Sequence, residues 1–274
     1  MAVLTAPMFI QDPNPGTIRY GLFTVARGPL ELTRHGRDSG FTWQSVTCGT
    51  VAGYEIECLP EQAAKEDGEP PDTVSATPFA VYSRVACAVV GMTTEELQTM
   101  VSQRLSFLEQ AAVERVFSEE SFGQAPGLAN NAAAVDVGPA IDAVEAIAQL
   151  EDAFYAVSGT VGTIHVPHDF SPFLMSSHLI EFRNGIWYTA AGSLVSIGQY
   201  LGYGPNGVPP AGGTTWLYIT GPVTVWRSSQ AFVAPIEGSL DRATNQVDML
   251  AEREYAVGFS CGPYATQVAL SEGS

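Results

Sequence analysis

The chain has 274 residues, of which 46% are apolar and only 15% charged, with a formal charge of −17 at pH 7. That length holds one large domain or two small ones, and the apolar fraction excludes a disordered chain. With 29 acidic against 12 basic residues, and Lys65 the single lysine, no basic patch for reading nucleic acid can be built, although a container for DNA with an acidic, non-sticking lining is allowed.

The opening MAVLTAPMFI has no basic segment ahead of an apolar one, and no apolar run reaches the ~18 residues that span a bilayer. The sequence therefore predicts no secretory signal, no membrane partner, and synthesis in a reducing cytoplasm. Residues 1–60 read as extended, with apolar stretches Thr17–Val25, Thr42–Val46 and Tyr54–Cys58 between Gly, Pro and Asp. Residues 60–78, PEQAAKEDGEPPDTVSATP, are polar, acidic and Pro-rich, as a loop or hairpin tip would be. Residues 79–90, FAVYSRVACAVV, are β-branched and aromatic and read as a strand.

Thr93 and Glu96 then form a Thr-x-x-Glu capping box. Leu97, Val101, Leu105, Leu108, Ala112 and Val116 follow at helical spacing, with Glu95, Gln98, Gln103, Arg104, Glu109 and Glu114 off that stripe or at its edges. Gly123, Pro126 and Gly127 end this helix. A second helix is expected from Pro139, with Ile141, Val144, Ile147, Ala148, Leu150 and Phe154 leaving little polar face, so that two sides would be buried. Gly159 and Gly162 break it. A strand Thr163–Val166, a short helix from Ser171-Pro172, and strands Leu179–Arg183 and Ile186–Thr189 about the hairpin turn Asn184-Gly185 come next. Strands at Ser193–Gln199, Trp216–Ile219, Val223–Phe232, Val247–Phe259 and Thr266–Leu270 complete the reading, with a Gly/Pro-rich loop at 202–214 and a turn at Asp241–Asn245. This element order argues for an α+β fold.

Little in the chain points to catalysis. His165, His168 and Asp169 stand as HVPHD, but Pro167 keeps the two histidines off a single helix face and the spacing places no third ligand. His35 and His178 are isolated. Asp136, Asp142 and Glu145 could pair as carboxylates, or simply favour a helix N-terminus. Gly202-Tyr-Gly204 and Gly212-Gly213 open no phosphate-binding helix. Cys48, Cys58, Cys87 and Cys261 match no zinc spacing and read as buried free thiols, with pairing of Cys48 to Cys58 as the alternative. No catalytic, cofactor or metal residue is assigned.

One segment carries a family resemblance. FLEQAAVERVFSEESFGQAPGLANNAAAVDVG, through Leu108, Glu109, Glu114, Phe117, Gly123, Pro126, Gly127 and Leu128, resembles the spine helix and following loop of tailed-phage major capsid proteins and of encapsulins. The order of later elements is similar too. The resemblance implies a Hong Kong 97-like capsid fold: N-terminal arm at 1–40, extended loop at 41–78, peripheral domain at 79–138 with the spine helix at 93–119, axial α/β domain at 139–222, and returning peripheral strands at 223–274.

It further implies a major capsid protein of the virion that builds hexamers and pentamers of an icosahedral shell around double-stranded DNA. Its partners would be further copies of itself, a portal, and scaffold or decoration proteins, with no cofactor. The loop at 202–214 would then meet its copies at the symmetry centres, and a Lys65–Asn245 crosslink between subunits becomes conceivable. No long helical scaffolding segment is seen at the N-terminus. The competing readings are an encapsulin shell, a tail-tube or head-completion protein, and a metal-dependent hydrolase using His165, His168 and Asp169.

Overall fold

The computed structural model describes residues 19–46, 48–49, 70–88, 93–119, 127–236 and 246–270, and only the backbone of Cys87 and Ala88. Lys65, Cys58, Gly123, Pro126 and Asn245 lie outside the described residues, as do the Asp241–Asn245 turn and the strand expected at Tyr54–Cys58.

The N-terminal part is less extended than its composition suggests. A helical turn α1 (Leu22–Val25), strand β1 (Arg27–Glu31), helix α2 (Arg34–Ser39) and strand β2 (Phe41–Gln44) follow one another. Strand β3 (Thr73–Ala76) pairs with β2 in a small ladder. Strand β4 (Phe79–Ala88) leads to helix α3 (Thr94–Glu119), which begins as expected. The backbone N–H of Thr93 donates to Glu96 Oε2 at 2.7 Å and that of Glu96 to Thr93 Oγ1 at 3.2 Å, so two orphan donors are satisfied reciprocally.

The buried face of α3 follows the expected stripe at Leu97, Val101, Leu105 and Val116 and departs from it between the last two. Leu108 is 54% exposed, whereas Val113 is fully buried and Glu109 and Glu114 are buried with it. A straight helix keeps one face by alternating steps of three and four; from Leu105 the step of four falls on Glu109, then Val113 and Phe117.

Strand β5 (Val135–Ala140) contains Pro139, so the second helix starts later than expected. It is α4 (Ala143–Ser158), capped by Asp142, whose Oδ1 accepts from Glu145 N at 2.9 Å. Strand β6 (Thr163–Pro167), helix α5 (Ser171–Ser176), and strands β7 (Ile180–Arg183), β8 (Ile186–Thr189) and β9 (Leu194–Gly198) follow. Asn184 and Gly185 both take positive φ, +52° and +88°, as a tight hairpin turn requires.

Strand β10 (Thr214–Thr220) precedes β11 (Val223–Arg227) and β12 (Phe232–Pro235). The single strand expected over Val223–Phe232 is thus two. Ser228 breaks it: its hydroxyl donates to Gln230 O and accepts from Glu254 N. Strands β13 (Gln246–Phe259) and β14 (Tyr264–Ala269) end the described chain.

Two larger sheets result. In the five-stranded sheet, β13 pairs with β4 along one side and with β12 and then β11 along the other, and β1 joins β11 in parallel. The seven-stranded sheet runs β5-β14-β10-β6-β9-β8-β7. Its alternation sorts side chains into two cores. Ile164, Val166, Leu217, Ile219 and Val268 face α4, while Trp216, Tyr218 and Ala265 join the core around α3. That second core continues through Val223, Val225, Met249, Val257 and Phe259, so α3 is buried against both sheets.

The cysteines depart from expectation. Cys48 and Cys261 are joined as a disulfide, with Cα atoms 5.4 Å apart, rather than being free thiols. The indole N–H of Trp43 donates to Ser260 Oγ at 3.0 Å and draws the two regions together across 217 residues of sequence. No local spacing could reveal that pairing.

Candidate assembly site

Helix α3 is fastened by polar groups to several separate parts of the chain. Glu114 is fully buried. Its Oε1 accepts from Leu22 N at 2.8 Å and from Gln110 Nε2 at 2.9 Å, and its Oε2 accepts from Gln199 N at 2.8 Å. One carboxylate thus ties the spine helix to the α1 turn and to the end of β9. Burial pushes the Glu114 carboxyl up, and the N–H groups of Gln199, Gln110 and Leu22 pull against that shift.

Two glycines make room for the carboxylate. A Cβ on Gly21 or on Gly198 would lie within hard contact of its atoms, the latter 2.4 Å from Oε2. Because Glu114 is held by three hydrogen bonds, it cannot swing aside. Gly198→Ala should therefore cost about 1–3 kcal/mol of stability, read from chemical denaturation of the purified chain; an unchanged midpoint would contradict the cradle.

One turn earlier, Arg253 Nη1 donates to both oxygens of Glu109, at 2.9 and 2.7 Å, and Arg227 Nη1 approaches Oε1 at 3.4 Å. These contacts tie α3 to β13 and β11. One turn later, Ser118 Oγ accepts from Leu201 N at 3.1 Å, and the carbonyls of Phe117 and Ser118 accept from Leu128 and Ala129. Of the residues carrying the family resemblance, Glu109, Glu114, Phe117, Gly127 and Leu128 are thus gathered in this joint, and Leu108 faces outward.

The structure does not gather the residues of the HVPHD run. His165 is buried on the α3 side of β6, edge-on to Phe117. Its Nδ1 shares a hydrogen bond with Tyr200 OH at 3.2 Å and its Nε2 one with Thr220 Oγ1 at 2.9 Å. Both ring nitrogens are therefore engaged, while His168 and Asp169 are exposed. Among the described residues no group of three His, Cys, Asp or Glu side chains could hold a metal ion. The carboxylates at 136–145 serve the backbone: Asp136 Oδ1 accepts from Gly138 N, Asp142 caps α4, and Glu145 Oε2 accepts from Ile141 N at 2.8 Å.

Several large apolar side chains remain exposed in groups. Ile141 is 77% exposed, Val144 51% and Tyr155 63%, so α4 buries only one face and presents the other. Tyr82 and Leu108 form a second exposed pair beside Arg84 and Arg104. Lone exposed apolar residues are ordinary, but grouped ones mark contact surfaces. No helix among the described residues is long and apolar enough to cross a membrane.

Neither family models nor curated proteins match the sequence. Solved structures match it over nearly all its length. A structure of Mycobacterium phage Ogopogo is 12% identical with a TM-score of 0.55, covering 98% of this chain and 97% of that one. The capsid of Ralstonia phage GP4 is 9% identical at 0.52, covering 99% and 97%. The capsid of an empty GTA particle is 15% identical at 0.51, covering 98% and 96%. The chain therefore has an α+β fold of the Hong Kong 97-like capsid type.

Proposed function

We propose that this chain is a major capsid protein, a shell subunit that acts by tiling with copies of itself into the closed head of a tailed phage. The observation that carries this reading is the end-to-end likeness to capsid structures, 97% or more of both chains for the Ralstonia phage GP4 capsid. The joint around α3 supports it. A subunit that bears load across a shell needs its sheets coupled, and Glu109, Glu114 and Ser118 couple them. Each contact between copies can then be weak, because many act at once.

In this reading the chain works by assembly rather than catalysis, in hexamers and pentamers, with a portal and scaffold or decoration proteins as partners and DNA held inside without sequence recognition. The formal charge of −17 suits a container that does not adhere to packaged phosphates. The five-stranded sheet with α3 would be the peripheral domain. The seven-stranded sheet would be the axial domain, drawing β5 and β14 in from outside 139–222. Residues 1–40 and 41–78 would be the arm and extended loop, and the loop at 202–214 would meet its copies at the symmetry centres.

The test is expression of the full chain, followed by sedimentation and negative-stain microscopy. Closed polyhedral particles are expected. A chain that remains a monomer at every concentration and salt level tried overturns the proposal.

A further inference from the structure

Two apolar surfaces lie toward opposite edges of the seven-stranded sheet. The first is on α4, which packs over β14, β5 and β10 at one end of the strand order. Val144, Ala148, Asp152 and Tyr155 are all exposed and recur at helical spacing as one stripe, extended by Ile141 just ahead of the helix. The second is an open cleft of ≈ 470 Å³ at the other end, where Tyr20, Met175, Trp187 and Ile197 form the walls and Arg19 and His168 stand at the rim. Tyr20 packs edge-on against both Phe182 and Trp187, with centroids 5.5 and 5.9 Å away, so the aromatic wall is already rigid.

The two surfaces are complementary in charge. Helix α4 carries Glu145, Glu151 and Asp152 and no basic residue. Glu145 is used by Ile141 N and Glu151 by Thr189 Oγ1, which leaves Asp152 exposed without an ion-pair partner among the described residues. The described walls of the cleft hold Arg19 and His168 and no acid, and Arg19 likewise has no ion pair among the described residues.

We infer that the α4 stripe of one copy docks into the Arg19–Tyr20–Trp187 cleft of the next, with Asp152 facing Arg19. Different patches meeting from opposite edges make a head-to-tail contact, which closes into rings when the rotation allows. The inference rests on the shell reading above and names the surfaces that would carry one of its contacts.

A charge exchange tests it in the full chain. Asp152→Arg alone and Arg19→Glu alone should each lower the yield of sedimenting particles about tenfold, because like charges then face one another. The double variant should return to near the wild-type yield. Tyr155→Ser, which breaks the apolar stripe without adding charge beside that pair, should also fail to assemble. All three positions of the test are exposed, so thermal midpoints of the four variants should stay at the wild-type value.

Wild-type particles together with singly substituted chains that assemble normally overturn the docking and leave the shell reading standing. So does a double variant no better than the worse single one, which would mean that something other than α4 fills the cleft. A wild-type chain that never assembles overturns both.

Discussion

Replacing Glu114 by alanine should lower the unfolding free energy of the subunit by about 3–5 kcal/mol, a large share of what a domain of this kind possesses. The cost comes from what is left behind. Leu22 N and Gln199 N sit on backbone that cannot turn away, and both lose their acceptor, the first of them at a fully buried residue. Gln110 loses its partner as well. Urea unfolding of wild type and variant measures the difference, and a loss below about 1 kcal/mol would mean that the carboxylate does not hold the joint.

The pH dependence of this site has a definite sign. Burial raises the folded-state pKa of Glu114. Its share of stability is therefore complete below the ordinary carboxylate range and declines as pH rises through the raised folded value. Glu114→Gln removes that decline.

His165 should produce the opposite slope. Burial pushes its imidazole from 6.5 down to about 3. The folded state then stays neutral where the unfolded chain takes up a proton. Stability is full above pH 6.5 and is lost as pH falls from there toward 3, by an amount of order 4 kcal/mol. His165→Leu should flatten this acid limb. Its two partners keep other bonds, Tyr200 OH to Ser196 Oγ at 2.6 Å and Thr220 Oγ1 to Gly221 O at 3.0 Å, so the variant need not collapse. Stability measured at pH 7 and at pH 4 in both proteins decides the matter: equal slopes would sink the assignment.

The two sites meet at one place in the fold. Phe117, one turn beyond Glu114 on α3, stacks edge-on against His165, and Tyr200 lies against the same imidazole. Disturbing either group should therefore loosen the contact between α3 and the seven-stranded sheet.

Much of the fold was legible because it is decided locally. The Thr93–Glu96 capping box, the Asn184-Gly185 turn and the long β-run over 247–259 each depend on residues within a few positions, and each appears where the sequence places it. Pro139 misled for the same reason. It is suited to a first helical turn, but Asp142 is the better cap, and pairing with β14 holds 135–140 as a strand.

By itself the sequence determined that an α+β chain with one long mid-chain helix would form, and that it would be acidic. Only the tertiary structure decided that Leu108 turns outward, that Glu109 and Glu114 are joints rather than surface charges, that Cys48 meets Cys261, and that α4 offers an apolar face outward. The partners of Glu114 lie 92 and 85 residues away, and the paired cysteines 213 apart. Helical and strand periodicities report on neighbours within one or two turns. Partners brought together by sheet pairing leave no mark at that range, so only the folded arrangement selects them.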